Sequence, residues 1–390
     1  VQIQQRNRRR EITMKIILIS SVKLGDKSAA AITLGRHLHA EADIEVRQLP
    51  SGAGELFSFP LWEKFLTRLS RTRLARFIHD ARIVLHLYLP LHWLLPPPGG
   101  GEQPTLVMTV AYGTGWLLAR KYAARYSLPL VVRFDDWFPD CALVHRWVKK
   151  FLDHEFHRAH REAALSICIS EGMRAELGGA ERSVVILPIP EAERKTPPAR
   201  AHEAPFRICY LGNLYDYGPM LGRLAEEAEK SSDLRFEFRG GDEANWPNDL
   251  KARMKSRGQL HGFLEGRGFQ DWYENFDAYL VAMFFEKEQG RRVRTCFTTK
   301  LLDYASLGRP VIIWGPEDAS VVRWARRTGA ATCITNSDPR AVISAAKELS
   351  ADPEKCRTLG RLIRHAYETE FSPQHLQKLF REAVQAAARR

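Results

Sequence analysis

TTKLLDYASLGRPVIIW, Thr298 to Trp314, sets two threonines and a lysine at the start of a short helical segment that carries one acidic residue, Asp303. Leu307, Gly308, Arg309 and Pro310 then break the helix, and the apolar run Val311–Trp314 follows. A helix stopped by glycine and proline and followed by a buried strand is an α/β turn. Free backbone N–H groups at the helix start, with Lys300 beside them, favour an anion such as a phosphate. Asp303 stands about one turn further in, where a carboxylate can accept hydrogen bonds from sugar hydroxyls. The segment predicts one half of a nucleotide-sugar site.

Working outward, strands and helices alternate along the whole chain. KIILIS (15–20), IEVRQLP (44–50), RIVLHLYLP (82–90), TLVMTV (105–110), LPLVVRF (128–134), ALSICIS (164–170) and SVVILPI (183–189) read as strands, with a helix at 28–41. After a polar, proline-rich stretch the pattern restarts with FRICYLG (206–212), RFEFRG (235–240), GQLHGF (258–263), AYLVAM (278–283), PVIIWG (310–315) and ATCIT (331–335). Helical residues 339–350, 353–369 and 373–388 follow. Near-continuous apolar strands between helices predict two Rossmann-like, doubly wound parallel-sheet domains facing each other across a cleft. The expected divisions are a flexible basic arm or upstream extension at 1–13, an N-terminal domain at 14–190, a linker at 191–205, a C-terminal domain at 206–365, and C-terminal helices at 366–390 that are candidates to cross back to the N-terminal domain. In open α/β sheets ligands bind beyond the carboxyl ends of the strands, so the loops after strands are where function is sought.

The composition narrows the class. At 390 residues there is room for two cores. The six cysteines are scattered and form no C-x-x-C pair, which suggests neither a disulfide framework nor a zinc site, with a reducing, cytoplasmic setting as the expectation. The formal net charge of +12 suits phosphorylated small molecules or anionic lipid. No zinc finger or RNP-like strand is present in the sequence, so nucleic acid is not an expected partner. The N-terminal VQIQQRNRRREIT has no apolar core and is not a secretory signal. No segment reaches the roughly 20 apolar residues that span a bilayer. LWEKFLTRLSRTRLARFIHDARI (61–83) reads as a basic amphipathic helix, which either packs on the sheet or lies on an anionic membrane surface at the inner face of the cell membrane.

Four places carry a family resemblance: VVRFDDWFPD (131–140), AALSICISEGMRAEL (163–177), FRICYLGNL (206–214) and, most specifically, FTTKLLDYASLGRPVI (297–312). They resemble the family-4-like, retaining type of GT-B glycosyltransferase over nearly the whole chain after Met14. The resemblance implies transfer of a sugar from a nucleotide diphosphate-sugar to a glycan or lipid-linked acceptor hydroxyl, without a metal and without any cofactor beyond the donor itself. It implies that the C-terminal domain holds the donor and the N-terminal domain most of the acceptor. Polysaccharide biosynthesis is the expected setting. Two departures stand out. Many members carry two glutamates eight positions apart; here Asp303 takes the second place and Thr295 the first. The arginine and lysine that members place after the opening glycine turn are absent from GNLYDYGPML, so Arg291, Arg292 and Arg294 are candidate substitutes.

The candidate donor-binding residues are therefore Gly25, Gly212, Asn213, Arg291, Arg292, Arg294, Thr298, Thr299, Lys300 and Asp303. A helix start contributes about 0.3–1 kcal/mol toward an anion, too little alone, so cationic side chains must assist. Asp135 and Asp136, at the end of an apolar strand, are candidates to bind a donor-sugar hydroxyl or position the acceptor, with a helix N-cap as the plain alternative. Glu286 is the candidate to orient the transferred sugar, with an ordinary surface acid as its alternative. GDKS (25–28) lacks the G-x-x-x-x-G-K-[ST] frame of a nucleoside triphosphatase. His154, His157 and His160 repeat every three residues and read as a polar helix face rather than a zinc site. The rival expectations are a non-catalytic GT-B scaffold in a polysaccharide-assembly complex, motivated by the two departures, and a nucleotide-sugar epimerase or hydrolase.

Overall fold

The computed structural model describes residues 14–26, 29–39, 43–52, 75–101, 103–179, 181–190, 205–241, 245–262 and 272–389. The expected basic arm at 1–13, the linker apart from its last residue, the 61–74 part of the amphipathic segment, and Lys27 and Ser28 of GDKS lie outside them. The chain divides into two compact units, Val1–Ile189 with Leu376–Arg390, and Pro190–His375.

In the first unit the order is β1 (Met14–Ile19), α1 (Ala29–His39), β2 (Ile44–Leu49), α2 (Ala75–Tyr88), β3 (Thr105–Val110), α3 (Gly115–Arg125), β4 (Leu130–Phe134), α4 (Arg146–Glu162), β5 (Leu165–Cys168), α5 (Glu171–Glu176) and β6 (Ser183–Val185). The six strands form one sheet in the order β2-β1-β3-β4-β5-β6, and every pairing is parallel. Alternate residues of each strand enter two different cores. Ile17, Val107, Val132 and Phe134 pack with α3 and α4 through Trp116, Leu152 and Phe156. Ile16, Leu18, Met108, Val131 and Ile167 pack with α1 and with Phe380 and Val384 of the C-terminal helix α13 (Pro373–Ala388). A parallel sheet needs both faces covered, and α13 supplies part of one cover.

One expected strand is a helix. RIVLHLYLP (82–90) was to be a strand, but most of it forms the last turns of α2. Topology gives the reason. β2 and β3 both pair parallel with β1, on opposite edges, and a parallel connection of this kind requires a crossover element. Sequence pattern hid it: α2 is apolar on its buried side at Ile83 and on its exposed side at Phe77 and Tyr88. A helix apolar on both sides has no readable 3.6-residue period, and a short apolar run then mimics a buried strand.

In the second unit come β7 (Phe206–Leu211), α6 (Gly218–Ala228), β8 (Leu234–Arg239), α7 (Asn248–Ser256), β9 (Leu260–His261), β10 (Ala278–Ala282), α8 (Gly290–Thr295), α9 (Thr299–Ala305), β11 (Val311–Trp314), α10 (Ser320–Thr328), β12 (Thr332–Ile334), α11 (Pro339–Ala351) and α12 (Pro353–Ala366). Its sheet order is β12-β11-β10-β7-β8-β9, again all parallel. All six strands expected here are present. Read from the other edge, this is the Rossmann order, with the chain reversing direction between β7 and β10. In the first unit the corresponding reversal lies between β1 and β3. Among the described residues no helix is long and apolar enough to cross a membrane.

Candidate active site

In the second unit the switch point is where the first strand ends and the fourth begins its loop. The backbone there is fixed from several sides. The N–H of Leu211 donates to Tyr304 Oη of α9 at 2.9 Å, and the N–H of Gly212 donates to the Arg239 carbonyl at 2.9 Å. Close approach to backbone demands glycine at position 240, and Gly212 lies against a side chain. A Cβ on Gly240 would lie 1.8 Å from the Gly212 carbonyl oxygen, and a Cβ on Gly212 would lie 2.4 Å from Lys300 Cε. The lysine stem therefore runs directly across Gly212, which makes the distant segments 206–214 and 297–312 one site.

Lys300 is half-buried, and no hydrogen bond or ion pair holds its ammonium among the described residues. Burial lowers its pKa, while Asp303 and Cys296 act in the opposite direction. A desolvated ammonium at a switch point is a group poised for an anion. Asp303 is half-buried on α9, where its carbonyl accepts from Ser306 Oγ at 2.6 Å. Thr298 occupies the cap position of α9 without a side-chain cap bond, and Thr299 begins the helix.

Asn213 folds the loop after Gly212 on itself. Its Oδ1 accepts the N–H groups of Tyr215 and Asp216 at 2.8 and 3.0 Å, and its Nδ2 donates to Asp216 Oδ2 at 3.0 Å. The result presents Asp216 to Arg292, whose Nη2 is 3.8 Å away. The Arg292 guanidinium also sits over Phe284 at 5.3 Å, and Phe284 stacks on Tyr217 at 4.1 Å. Arg292 thus reaches the loop in which the sequence lacks its own cations. Arg294 goes elsewhere: its Nη1 lies 3.6 Å from Asp318 in the loop after β11, and its carbonyl accepts from Ser320 Oγ. Arg291 is half-buried on α8, with its carbonyl accepting from Thr295 Oγ1 at 3.0 Å. Glu286 is exposed and precedes the single turn Lys287–Gln289.

In the first unit, the loops after β1 and β3 are locked together at its switch point. Ser21 Oγ accepts from the N–H groups of Thr114 at 3.1 Å and Gly115 at 2.9 Å. Gly25 lies beyond it, exposed, with φ +91°, a conformation that favours glycine. At the end of β4, Asp135 Oδ1 accepts from Arg133 Nε at 2.7 Å. Arg133 is 1% exposed, and its Nη1 and Nη2, like Asp135 Oδ2, have no hydrogen-bond partner among the described residues. Asp136 is half-buried, and its carbonyl accepts from the Phe138 N–H at 2.9 Å. The N-cap reading of these acids does not hold: the short helix Phe138–Cys141 is capped at Trp137, with no side-chain cap bond.

Several members of these clusters escape sequence reading. Asp216 and Phe284 face Arg292, Tyr217 stacks on Phe284, and Tyr304 pins the strand end. The YDY following Gly-Asn was the available sign. Arg133 gave none, because a charged residue in an apolar strand announces its partner only in three dimensions.

No family model matches the chain, and no curated protein matches it. Solved structures do resemble it. HepE of Anabaena in complex with UDP and glucose superposes with a TM-score of 0.63 at 13% identity, covering 96% of this chain and 100% of that one. The fold is GT-B. The sucrose-phosphate synthase of Thermosynechococcus elongatus is similar to the same extent, with a TM-score of 0.62 at 12% identity, covering 96% of this chain and 100% of the other. Fold likeness at this identity carries no residue roles; those rest on the geometry of each switch point.

Proposed function

We propose that this chain is a glycosyltransferase that moves a sugar from a nucleotide diphosphate-sugar, most simply a UDP-sugar, to a hydroxyl of a glycan or lipid-linked acceptor. The carrying observation is the passage of Lys300 across Gly212 at the switch point of the second sheet. The binding of UDP and glucose by a protein of the same fold supports the choice of donor.

In this reading the second unit binds the donor. Bond formation from the acceptor oxygen to the anomeric carbon accompanies cleavage of the bond to the diphosphate, and negative charge builds on the departing phosphate oxygen, which takes up the acceptor's hydroxyl proton. Lys300 and Arg292 stabilise that charge, the task a divalent cation would otherwise perform. Asp303 accepts hydrogen bonds from ribose hydroxyls, and Glu286 orients the transferred sugar. Asp135 and Asp136 are both candidates to receive a donor-sugar or acceptor hydroxyl; Asp135 accepts from Arg133 through Oδ1 and keeps Oδ2 without a hydrogen-bond partner among the described residues. Retention of configuration and the family-4 type are part of the same proposal.

Calorimetry with UDP and uridine tests it. Lys300→Ala removes a charge-assisted contact and should weaken UDP by roughly ten- to a hundredfold while leaving uridine nearly unchanged. Equal losses for both ligands would make Lys300 a structural residue. UDP-sugar consumption without an acceptor would instead indicate a hydrolase or epimerase.

A further inference from the structure

The first unit has an unusual outer surface. Twelve large hydrophobic side chains are exposed among the described residues, and nine of them fall between Phe77 and Phe151. On α2, Phe77, Ala81, Val84 and Tyr88 recur at helical spacing and form one stripe. On α4, Trp147 and Phe151 form a second. The stripes run side by side. The Phe77 ring lies 4.7 Å from that of His145, and the rings of Tyr88 and Phe151 are 6.4 Å apart. Between them opens an apolar groove of about 290 Å³ lined by Phe77, Ala81, Val84 and Trp147, with Asp80 and His145 at its base. Exposures of 62% for Phe77, 71% for Tyr88 and 64% for Trp147 are too high for core residues at rest.

The exposed charges of the described residues around this seam are basic. From Ala75 to Phe151 the described residues include nine lysines and arginines, and Arg76, Arg146 and Lys150 are exposed. The described acids in that span are Asp80, Asp135, Asp136 and Asp140, and none of them is fully exposed. Asp80 is buried, giving Oδ1 to the His145 N–H and Oδ2 to its Nδ1, and Asp140 pairs with Lys149 at 2.8 Å. A second copy of this chain would bring like charges together across the patch. An anionic bilayer complements it, and tryptophan, tyrosine and phenylalanine among lysine and arginine are the composition of the water–lipid boundary.

We propose that the seam between α2 and α4 docks the protein on an anionic lipid surface, with Phe77, Tyr88, Trp147 and Phe151 entering the headgroup layer and Arg76, Arg146 and Lys150 meeting lipid phosphates. The proposal is independent of the sugar-transfer reading. It moves the membrane face from the basic 61–83 segment to a surface built by two helices, one of them more than sixty residues further along the chain.

Flotation with phosphatidylcholine vesicles, with and without phosphatidylglycerol, is the test. The intact chain should partition about tenfold more strongly to the anionic vesicles and be released by added salt. Phe77→Ser with Trp147→Ser should reduce that partition by about tenfold or more, with an unchanged melting temperature, while Leu362→Ser, an exposed apolar change in the second unit, should leave it intact. If the serine pair fails to fold, Arg146→Glu with Lys150→Glu reads the same surface without touching the apolar stripe. Absence of binding to anionic vesicles would overturn the proposal. So would binding unaffected by the seam variants, or a concentration-dependent dimer that the serine pair dissolves in the absence of lipid.

Discussion

At the end of β4, Asp135 gives one oxygen to a guanidinium that has no other hydrogen-bond partner among the described residues. Removing the carboxylate leaves a buried charge, so Asp135→Asn should cost roughly 3 kcal/mol of stability, the low end for a broken buried pair because the amide oxygen still accepts. Asp136→Asn lies outside that hydrogen bond and should lower turnover; a lower urea midpoint with turnover intact would mark Asp136 as structural. Glu237 offers a pH handle in the second unit. Burial raises its carboxyl pKa, but hydrogen bonds from His261, Arg235 and Arg207 outweigh burial and bring it to about 2. A carboxyl depressed from 4.5 stabilises the folded state above that value and loses the contribution as pH falls toward 2. The span corresponds to about 3 kcal/mol. Acid titration of unfolding should be steep between those limits and become shallow in Glu237→Gln. The sequence shows these acids as letters in strands. It does not show that one of them holds two guanidiniums and an imidazole, because that depends on which strand lies alongside.

Among elements, α13 is the informative case. Phe380 and Val384 are fully buried against the first sheet, and the Phe380 ring stacks on that of His37 at 4.7 Å. Gln377 Nε2 donates to the His37 carbonyl at 2.8 Å, and Arg381 reaches Asp43 at 2.5 Å. Phe380→Ala should destabilise by about 3–5 kcal/mol in denaturant titration, with UDP affinity unaltered if the donor site is confined to the second unit. The helix itself was legible over 373–388, since its apolar positions keep a period of about 3.6 residues. α2 was not, because solvent-facing aromatics erase that period. The switch-point residues divide on similar grounds. Lys300 and Gly212 belong to local patterns that punctuate strand ends. Arg292 is distinguished from Arg291 and Arg294 only by the direction in which a short helix turns each side chain.

For the molecule as a whole, strand order was the part that sequence could not supply. Alternation of strands and helices predicts two parallel sheets, and two six-stranded sheets are present. Which strands flank the reversal follows from crossover geometry, and only that geometry singles out as neighbours the loops after β1 and β3 in the first unit and those after β7 and β10 in the second. Each unit has its own buried clusters, so calorimetric unfolding should resolve two transitions. UDP at about a hundred times its dissociation constant should move only the one carried by Pro190–His375, by the equivalent of about 2.7 kcal/mol. A shift of both transitions, or of the other one alone, would place the nucleotide elsewhere.

The return of α13 to the first sheet also governs how the protein is made. During translation the residues of the second unit emerge from the ribosome before Leu376, so the nascent chain can complete its later half while its earlier half still lacks Phe380, Val384 and Ala387. One face of the earliest sheet stays partly uncovered through synthesis of nearly half the polypeptide. A premature stop codon shortly before residue 376 would therefore spare the later half and leave the opposite end of the protein exposed to chaperones and proteases.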